Sequence, residues 1–307
     1  MMRKHFTGIK FLLLSLIMMY RFSIAQVSGY AWWENYHGIS SEMAKHLLRR
    51  APGFMGPHAL PVPEVFDTKV GYRTFVATGI EYYHGNGEQT INPDITIHFP
   101  IQKNRLSLSL RSKLVEWYRM STTLRDERYA RDSAGMGFSE GETFLQAKCR
   151  VLQDFHFFPD ISVDAGMKFY SGGNFENARH TGAAAYWMNG IVAKTIMKNS
   201  NQNIRLTMSG GAYFWQSGEW QHRRALLYGI GFVLTHKNML LYTGINGYRG
   251  RLNNGDRPML LRLRWELNTS GNMFFLGYQL GINDFVKHAW MAGLAFKIGW
   301  TDRINPY

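Results

Sequence analysis

Along most of the chain, apolar and polar side chains alternate one by one in twelve short runs. In the last run Trp290, Ala292, Leu294, Phe296, Ile298 and Trp300 share one parity, and Met291, Gly293, Ala295, Lys297 and Gly299 share the other. Successive side chains of a β-strand point to opposite faces, so such a run predicts a strand with one apolar and one small or polar face. The predicted strands span 71–83, 91–100, 105–117, 141–151, 160–171, 184–198, 203–215, 225–236, 240–250, 258–268, 272–283 and 288–300. The joints after even-numbered strands are mostly short: Gln102-Lys103, Asn199 to Gln202, Lys237-Asn238 and Ser270-Gly271, with Leu152 to Pro159 the longest. The intervening joints include Tyr118 to Glu140, Gly172 to Ala183 and Gln216 to Arg224. Short turns alternating with long loops on an even number of strands fit an all-β, closed antiparallel barrel in an outer membrane, apolar outside and polar inside. Both chain ends then belong on the short-turn, periplasmic side. A soluble β-sandwich also alternates, but it needs neither so many apolar outer faces nor alternating loop lengths.

Pairing tests the faces. A two-residue hairpin at Gln102-Lys103 sets Asp94 opposite Arg111, Thr96 opposite Ser109 and His98 opposite Ser107 on the polar side. Ile95, Ile97 and Phe99 then meet Leu110, Leu108 and Leu106. Across Ser270-Gly271, Leu263, Trp265 and Leu267 meet Tyr278, Leu276 and Phe274, leaving Arg262, Arg264 and Glu266 inside. A slip of one residue turns charges toward lipid, at about 2–4 kcal/mol per Arg or Lys near mid-membrane. Lys194, among apolar neighbours, turns inward only through pairing across Asn199 to Gln202.

The first residues read as a secretory signal. Arg3, Lys4 and Lys10 precede an apolar stretch, Phe11 to Tyr20, too short to span a bilayer as a helix. Ser23-Ile24-Ala25 places cleavage before Gln26. The expected division is therefore a leader at 1–25, an N-terminal periplasmic extension or plug segment at 26–70, and the barrel at 71–307. Within the extension, Ser41 is positioned to cap a helix from Glu42 to Arg50, which Pro52-Gly53 stops. Pro57, Pro61 and Pro63 make the following stretch an extended linker.

Composition narrows the partners. The formal net charge is +13, but four of the cations, Arg3, Lys4, Lys10 and Arg21, lie in the leader. An exported chain with no Lys- or Arg-rich run makes nucleic acid the weakest candidate, behind anionic lipid and an anionic solute. The single cysteine, Cys149, excludes an internal disulfide and reads as a small hydrophobe. Nothing calls for a cofactor. His84, His222 and His236 lack the spacing of a metal site, and Gly85-Asn86-Gly87 is a turn, not a phosphate loop.

The predicted lumen is charged. Arg111, Lys113, Lys148, Arg150, Lys168, Arg205, Arg262, Arg264 and Lys297 face inward, against Glu81, Asp94, Glu142, Asp164 and Glu266. Opposite charges in a narrow barrel pair, because an unpaired buried charge is costly. The basic excess alternatively biases a water-filled pore toward anions. In the Tyr118 to Glu140 loop, Arg125, Asp126, Arg128 and Arg131 are candidates for narrowing the mouth. Arg125 with Tyr129, and Arg128 with Asp132, are spaced as on one helical face. A solvated loop and contact with lipopolysaccharide phosphates are the alternatives.

Twelve strands is also the architecture of the outer-membrane phospholipase A family, which the chain resembles in architecture alone. That resemblance implies a Ser/His pair on the outward face near the outer leaflet. His98 and Ser107 sit on the wrong face and near the wrong leaflet, and Ser171 with His180 lacks a fixed carboxylate. No catalytic residue is assigned.

The segments Asn92-Pro93-Asp94, Arg125-Asp126-Glu127-Arg128, Ala130-Arg131-Asp132 and Gly56-Pro57-His58-Ala59-Leu60-Pro61-Val62-Pro63 resemble uncharacterised outer-membrane barrels of Gram-negative, Bacteroides-like bacteria. The resemblance implies location and fold, and carries no catalytic residue. The expectation is an outer-membrane pore or binding protein for a small polar or anionic solute. An outer-leaflet lipid-modifying enzyme and a surface or assembly protein acting through its loops are the alternatives.

Overall fold

The computed structural model describes residues 31–40, 42–155, 157–216 and 222–298. The leader and the positions of Gly299 and Trp300 lie outside the described residues. The chain divides into two compact units, Met1–Ser41 and Glu42–Tyr307. In the first, Ala31–His37 forms helix α1, with the Trp33 and His37 rings 4.7 Å apart. The second is the barrel together with the segment that precedes its first strand.

β1 is Thr74–Gly85, β2 Glu88–Gln102, β3 Leu106–Lys113, β4 Val115–Met120, β5 Met136–Glu140, β6 Thr143–Leu152 and β7 Asp160–Lys168. β8 is Ala185–Lys198, β9 Gln202–Gln216, β10 His222–His236, β11 Met239–Arg249, β12 Met259–Asn268, β13 Asn272–Asn283 and β14 His288–Ile298. β2 pairs with both β3 and β4, so these two are one wall strand interrupted at Leu114. β5 pairs with β4 and β6 with β3, so they form another, interrupted at Gly141-Glu142. All pairings are antiparallel, and β1 bonds both β14 and β2. The wall is therefore a closed twelve-strand barrel with no free edge.

The faces separate as alternation demands. Ile80, Ile97, Leu110, Met188, Phe232, Leu263, Leu276, Trp290 and Phe296 are exposed on the outside. Glu81, Asp94, Lys113, Asp164, Lys168, Arg205 and Arg262 are buried on the inside. A protein dissolved in water would hide the first set and expose the second. Cys149 is free and exposed, opposite Leu106 and Val163.

Registers agree with the sequence in the β12–β13 hairpin and are displaced in the β2–β3 hairpin. Leu263, Trp265 and Leu267 pair with Tyr278, Leu276 and Phe274, as expected. In the β2–β3 hairpin Asp94 meets Lys113, Thr96 meets Arg111 and His98 meets Ser109, not Arg111, Ser109 and Ser107. The turn extends through Asn104, at φ 58°, and Arg105, and the ladder bulges between Pro100 and Gln102. The displacement is even, so no face changes and Ile97 still meets a leucine, Leu110. Lys194 departs from expectation. It pairs with Leu206, ahead of a bulge between Thr195 and Met197, on the outer side. Its Nζ reaches the adjacent turn, 2.7 Å from Asp154 Oδ1 and 3.2 Å from Phe158 O.

The residues before β1 are not an appendage at the short-turn end. Helix α2 covers only Ala44–Leu47, shorter than the Glu42 to Arg50 expected. Beyond it the chain lies against the long loops: Arg49 Nε donates to Asn254 O at 2.5 Å and Gly56 N to Ala178 O at 2.8 Å. It then descends through the barrel to the short-turn end, where β1 begins. Residues 49–60 thus sit at the end of the barrel opposite to Ile298, where β14 ends, instead of on the same side.

Candidate functional site

The lumen holds two kinds of filling. Toward the long loops it is apolar: Leu60 and Val62 of the descending segment pack with Tyr83, Trp187, Tyr213, Trp215, Tyr248, Leu260 and Phe285. Burying a side chain the size of Leu60 contributes about 1.5–3 kcal/mol. Tyr248 Oη donates to Leu60 O at 3.2 Å and Lys287 Nζ to Met55 O at 2.6 Å, which satisfies backbone carbonyls inside the wall.

Below this the filling is ionic. Arg111 spreads its three nitrogens over three carboxylates: Nη1 on Glu64 at 2.8 Å, Nη2 on Glu81 at 2.5 Å and Nε on Asp94 at 3.0 Å. Lys113 lies 2.6 Å from Glu81 and 3.4 Å from Asp94, and His58 Nε2 lies 3.0 Å from Glu81. Arg262 donates through Nε to Gln279 at 3.0 Å, through Nη1 to Pro63 O at 3.1 Å and through Nη2 to Val62 O at 2.8 Å. Arg264 pairs with Glu266 at 2.7 Å, its guanidinium 4.5 Å from the Phe275 ring and 5.3 Å from that of Phe66. Toward the short turns Arg205 Nη2 lies 2.5 Å from Asp160 and 3.2 Å from Asp67, and also reaches Thr68 Oγ1 at 2.9 Å. Arg150 shares Asp160 at 2.5 Å, and Lys148 donates to Asp67 O. Asp164 accepts from Gln146 at 2.5 Å and from the Trp187 indole at 3.2 Å. Lys168 binds Glu142 at 2.8 Å. Lys297 is at the rim, its Nζ 2.8 Å from Thr269 O.

A cavity of about 320 Å³ remains between the segment and the wall. Glu64, Arg111, Arg262, Arg264, Gln146 and Gln279 border it, together with the rings of Phe66, Phe75, Phe144 and Phe275.

At the long-loop mouth the β4–β5 loop is folded and held by ion pairs. Ser121 caps helix α3, Thr122–Glu127, through a 3.2 Å bond from Leu124 N. Tyr129 adopts φ 52° and ends the helical path, so Arg125 and Tyr129 do not share a helical face, nor do Arg128 and Asp132. Arg128 turns inward to Glu88 at 2.8 Å, while Arg131 lies 3.1 Å from Glu176. Arg125 is held by Asp126 at 2.7 Å. Glu88 also receives Arg179 and Lys287, the latter at 2.8 Å. Burial pulls the Lys287 ammonium down to about 8, even though Glu88 beside it favours the charged form.

The serine and histidine pairs weighed for catalysis are engaged elsewhere. His98 Nδ1 is 2.9 Å from Ser109 Oγ, not Ser107. His180 is buried on Glu142 at 3.1 Å, and Ser171 Oγ accepts from Thr143 N at 2.8 Å. Among the described residues no group of three or more His, Cys, Asp or Glu side chains has the geometry to hold a metal ion.

Sequence reasoning missed Glu64, Asp67, Glu88, Asp160, Arg179, Lys287 and Glu116, which accepts from Arg179 Nε at 2.7 Å. Glu88 shares parity with Thr90, Asn92 and Asp94, and Asp160 shares it with Ser162 and Asp164. Extending the phase of the 91–100 strand to its observed first residue finds Glu88, and Asp160 already opens the 160–171 strand on the inward parity. Arg179 and Lys287 stand in loops, and Glu64 and Asp67 in a proline-broken stretch, where no period exists to read.

No family model and no curated protein matches the chain. Among solved structures, an outer-membrane channel from Pseudomonas putida F1 is 9% identical over 77% of this chain and all of its own, at a TM-score of 0.49. The NanC porin is 9% identical over 73% and all of its own length, at 0.48. The transport unit of the autotransporter AIDA-I from Escherichia coli is 8% identical over 75% and 91%, at 0.46. Likeness this slight assigns no solute and no site residue.

Proposed function

We propose that the chain is an outer-membrane barrel that binds or admits a small polar or anionic solute, and that the segment before β1 keeps its lumen shut. The observation that carries this reading is a cavity of about 320 Å³, bordered by three arginines set among apolar rings, inside a cylinder whose outer face is apolar. A purely structural barrel gains nothing from buried arginines, since apolar filling of the same volume is equally stable or more so. Residues Arg111, Lys113, Lys148, Arg150, Asp164, Lys168, Arg205, Arg262, Arg264 and Glu266 set the selectivity, and Arg125, Asp126, Arg128 and Arg131 hold the mouth. The short turns and the C-terminal end face the periplasm, and the long loops face outward. Lipid wets the outer wall. Lipopolysaccharide phosphates meet the long-loop rim, where Arg224 and Arg249 are exposed. A Bacteroides-like, Gram-negative source fits these assignments.

The test is conductance in planar bilayers. The intact chain conducts poorly, and Glu64→Gln with Asp67→Asn, which loosens the segment, raises conductance and favours anions. Equal, negligible conductance from both folded proteins removes the pore. A second reading, that the barrel holds the residues ahead of Arg49 in its own unit outside the cell, is favoured by the direction of threading. It predicts that second result together with external accessibility of that region.

A further inference from the structure

The arginines of the cavity divide their donors in a regular way. The wall takes the inner nitrogens: Asp94 holds Arg111 Nε, Glu81 holds Arg111 Nη2, and Gln279 holds Arg262 Nε. Three terminal nitrogens at the guanidinium tips, Arg111 Nη1 and both of Arg262, receive oxygens from the segment instead. Arg111 Nη1 has Glu64, while Arg262 Nη1 and Nη2 have the carbonyls of Pro63 and Val62. Among the described residues, the buried Arg262 guanidinium has hydrogen bonds to neutral acceptors alone. A carbonyl is the weaker partner for such a fork, and a carboxylate fits it with two parallel, charge-assisted bonds.

We propose that these tips are the binding site of a small carboxylate with a cyclic body, and that Glu64 and the Val62 and Pro63 carbonyls occupy that site until the solute displaces them. This rests on the reading of the barrel as a solute-binding protein and deepens it. The cavity of about 320 Å³ lies at the lower end of the range for small-ligand sites, about 300–1,000 Å³, which suits a single ring and its carboxylate. The rings of Phe144 and Phe275, both on wall strands, supply an apolar surface for the body of the solute. The segment is built to yield in its lower half only. Above, Leu60 is locked in the aromatic cluster, and the Val62 side chain stays packed there while its carbonyl turns away from Arg262. Below, from Pro63 to Val70, the charged and carbonyl contacts with Arg111, Arg262, Arg205 and Lys148 are the kind that an anion replaces one for one. Solute binding and opening are then a single exchange of oxygens on the same guanidinium tips.

The experiment uses the full chain in detergent, with Cys149→Ser and Val65→Cys, and reads the rate at which a water-soluble maleimide modifies position 65. Val65 is buried, so labelling reports release of the lower half. Benzoate raises the rate about tenfold, the scale of one charge-assisted hydrogen bond exchanged, whereas benzamide and sodium chloride at matched ionic strength do not. Glu64→Gln raises the rate without benzoate, and Arg262→Gln removes the benzoate response. Retained heat-modifiable migration on gels shows that each variant is folded. Identical rates in benzoate and benzamide overturn the inference, whatever the conductance. A benzoate response in a protein that never conducts keeps the site and discards the pore; conductance without that response does the reverse.

Discussion

At Gly56 the descending segment passes so close to the β7–β8 loop that a Cβ would overlap Arg179 O. At Gly71, near the other end, a Cβ would lie 2.7 Å from His98 Nε2. Both positions use the missing side chain for close approach, one at each end of the lumen. Gly56→Val therefore pushes the upper anchor away from the loop, with the cost of about 1–3 kcal/mol typical of overpacking. Raised bilayer conductance at a modestly lowered unfolding temperature is the expected result. Unchanged conductance separates the anchor from closure. Lys287, which holds Met55 O and Glu88, gives a pH signature. Its ammonium titrates at about 8 in the fold against 10.5 for an ordinary lysine, because burial disfavours the charge. Between those values the unfolded chain keeps the proton that the folded chain has lost, so this group's contribution to stability rises with pH across the window and is flat below it. Lys287→Met flattens that rise in thermal unfolding measured between pH 8 and 10.5; an unaltered slope assigns it to another group.

Single strands carry the assignment of faces. Leu263 faces out opposite Tyr278, and Arg264 faces in, one residue further on. Leu263→Arg puts a charge in lipid at about 2–4 kcal/mol near mid-membrane and hinders insertion, whereas Arg264→Leu leaves Glu266 without its 2.7 Å partner but spares the outer face. Folded yield after dilution into lipid vesicles distinguishes them, and equal yields contradict the faces. This level was the most legible in the sequence, because a period of two is repeated along every strand and a charge on the wrong face is penalised each time. The β2–β3 hairpin shows the limit of that reading. Asp94 meets Lys113 and not Arg111, since a turn one bulge longer shifts register by two without altering any face. Lys194 marks another limit: near a rim the penalty is small, and a long side chain reaches Asp154 from the lipid side. Where the period stops, legibility stops. Glu64 and Asp67 lie among prolines, and their ion pairs with Arg111 and Arg205 connect positions 47 and 138 residues apart. Nothing local announces them. The inward arginines were readable; the partners that complete them were not.

Seen as a whole, the molecule has a direction. The segment meets Asn254, Ala178 and Tyr248 at the long-loop end, then Arg262 and Arg111, then Arg205 and Lys148, and only afterwards enters β1 at Thr74. A segment that lies beside the long loops is on the outer side of the membrane if those loops are external, as barrels of this kind arrange them. The consequence is an asymmetry of the two ends: Ile298 closes the wall at the short-turn side, whereas Glu42 and Arg49 belong to the opposite side. An epitope inserted between Glu42 and Met43, both beyond the ionic half of the lumen, is therefore accessible to antibody on intact cells. One added after Ile298 requires permeabilised cells. Protease added to intact cells cuts the inserted site and leaves the barrel, since residues 55–68 are protected inside it. Access to the Glu42 insertion only after permeabilisation reverses the orientation and puts the long loops in the periplasm. Access at both positions in intact cells indicates leaky cells and is checked with a soluble periplasmic marker. The same tagged protein tests closure. If the lower half alone lets go of Arg111 and Arg205 while Leu60 stays among Tyr213, Tyr248 and Trp215, opening the lumen leaves the outer tag in place. Antibody access then stays constant while conductance changes, which a segment that withdraws as a whole cannot produce.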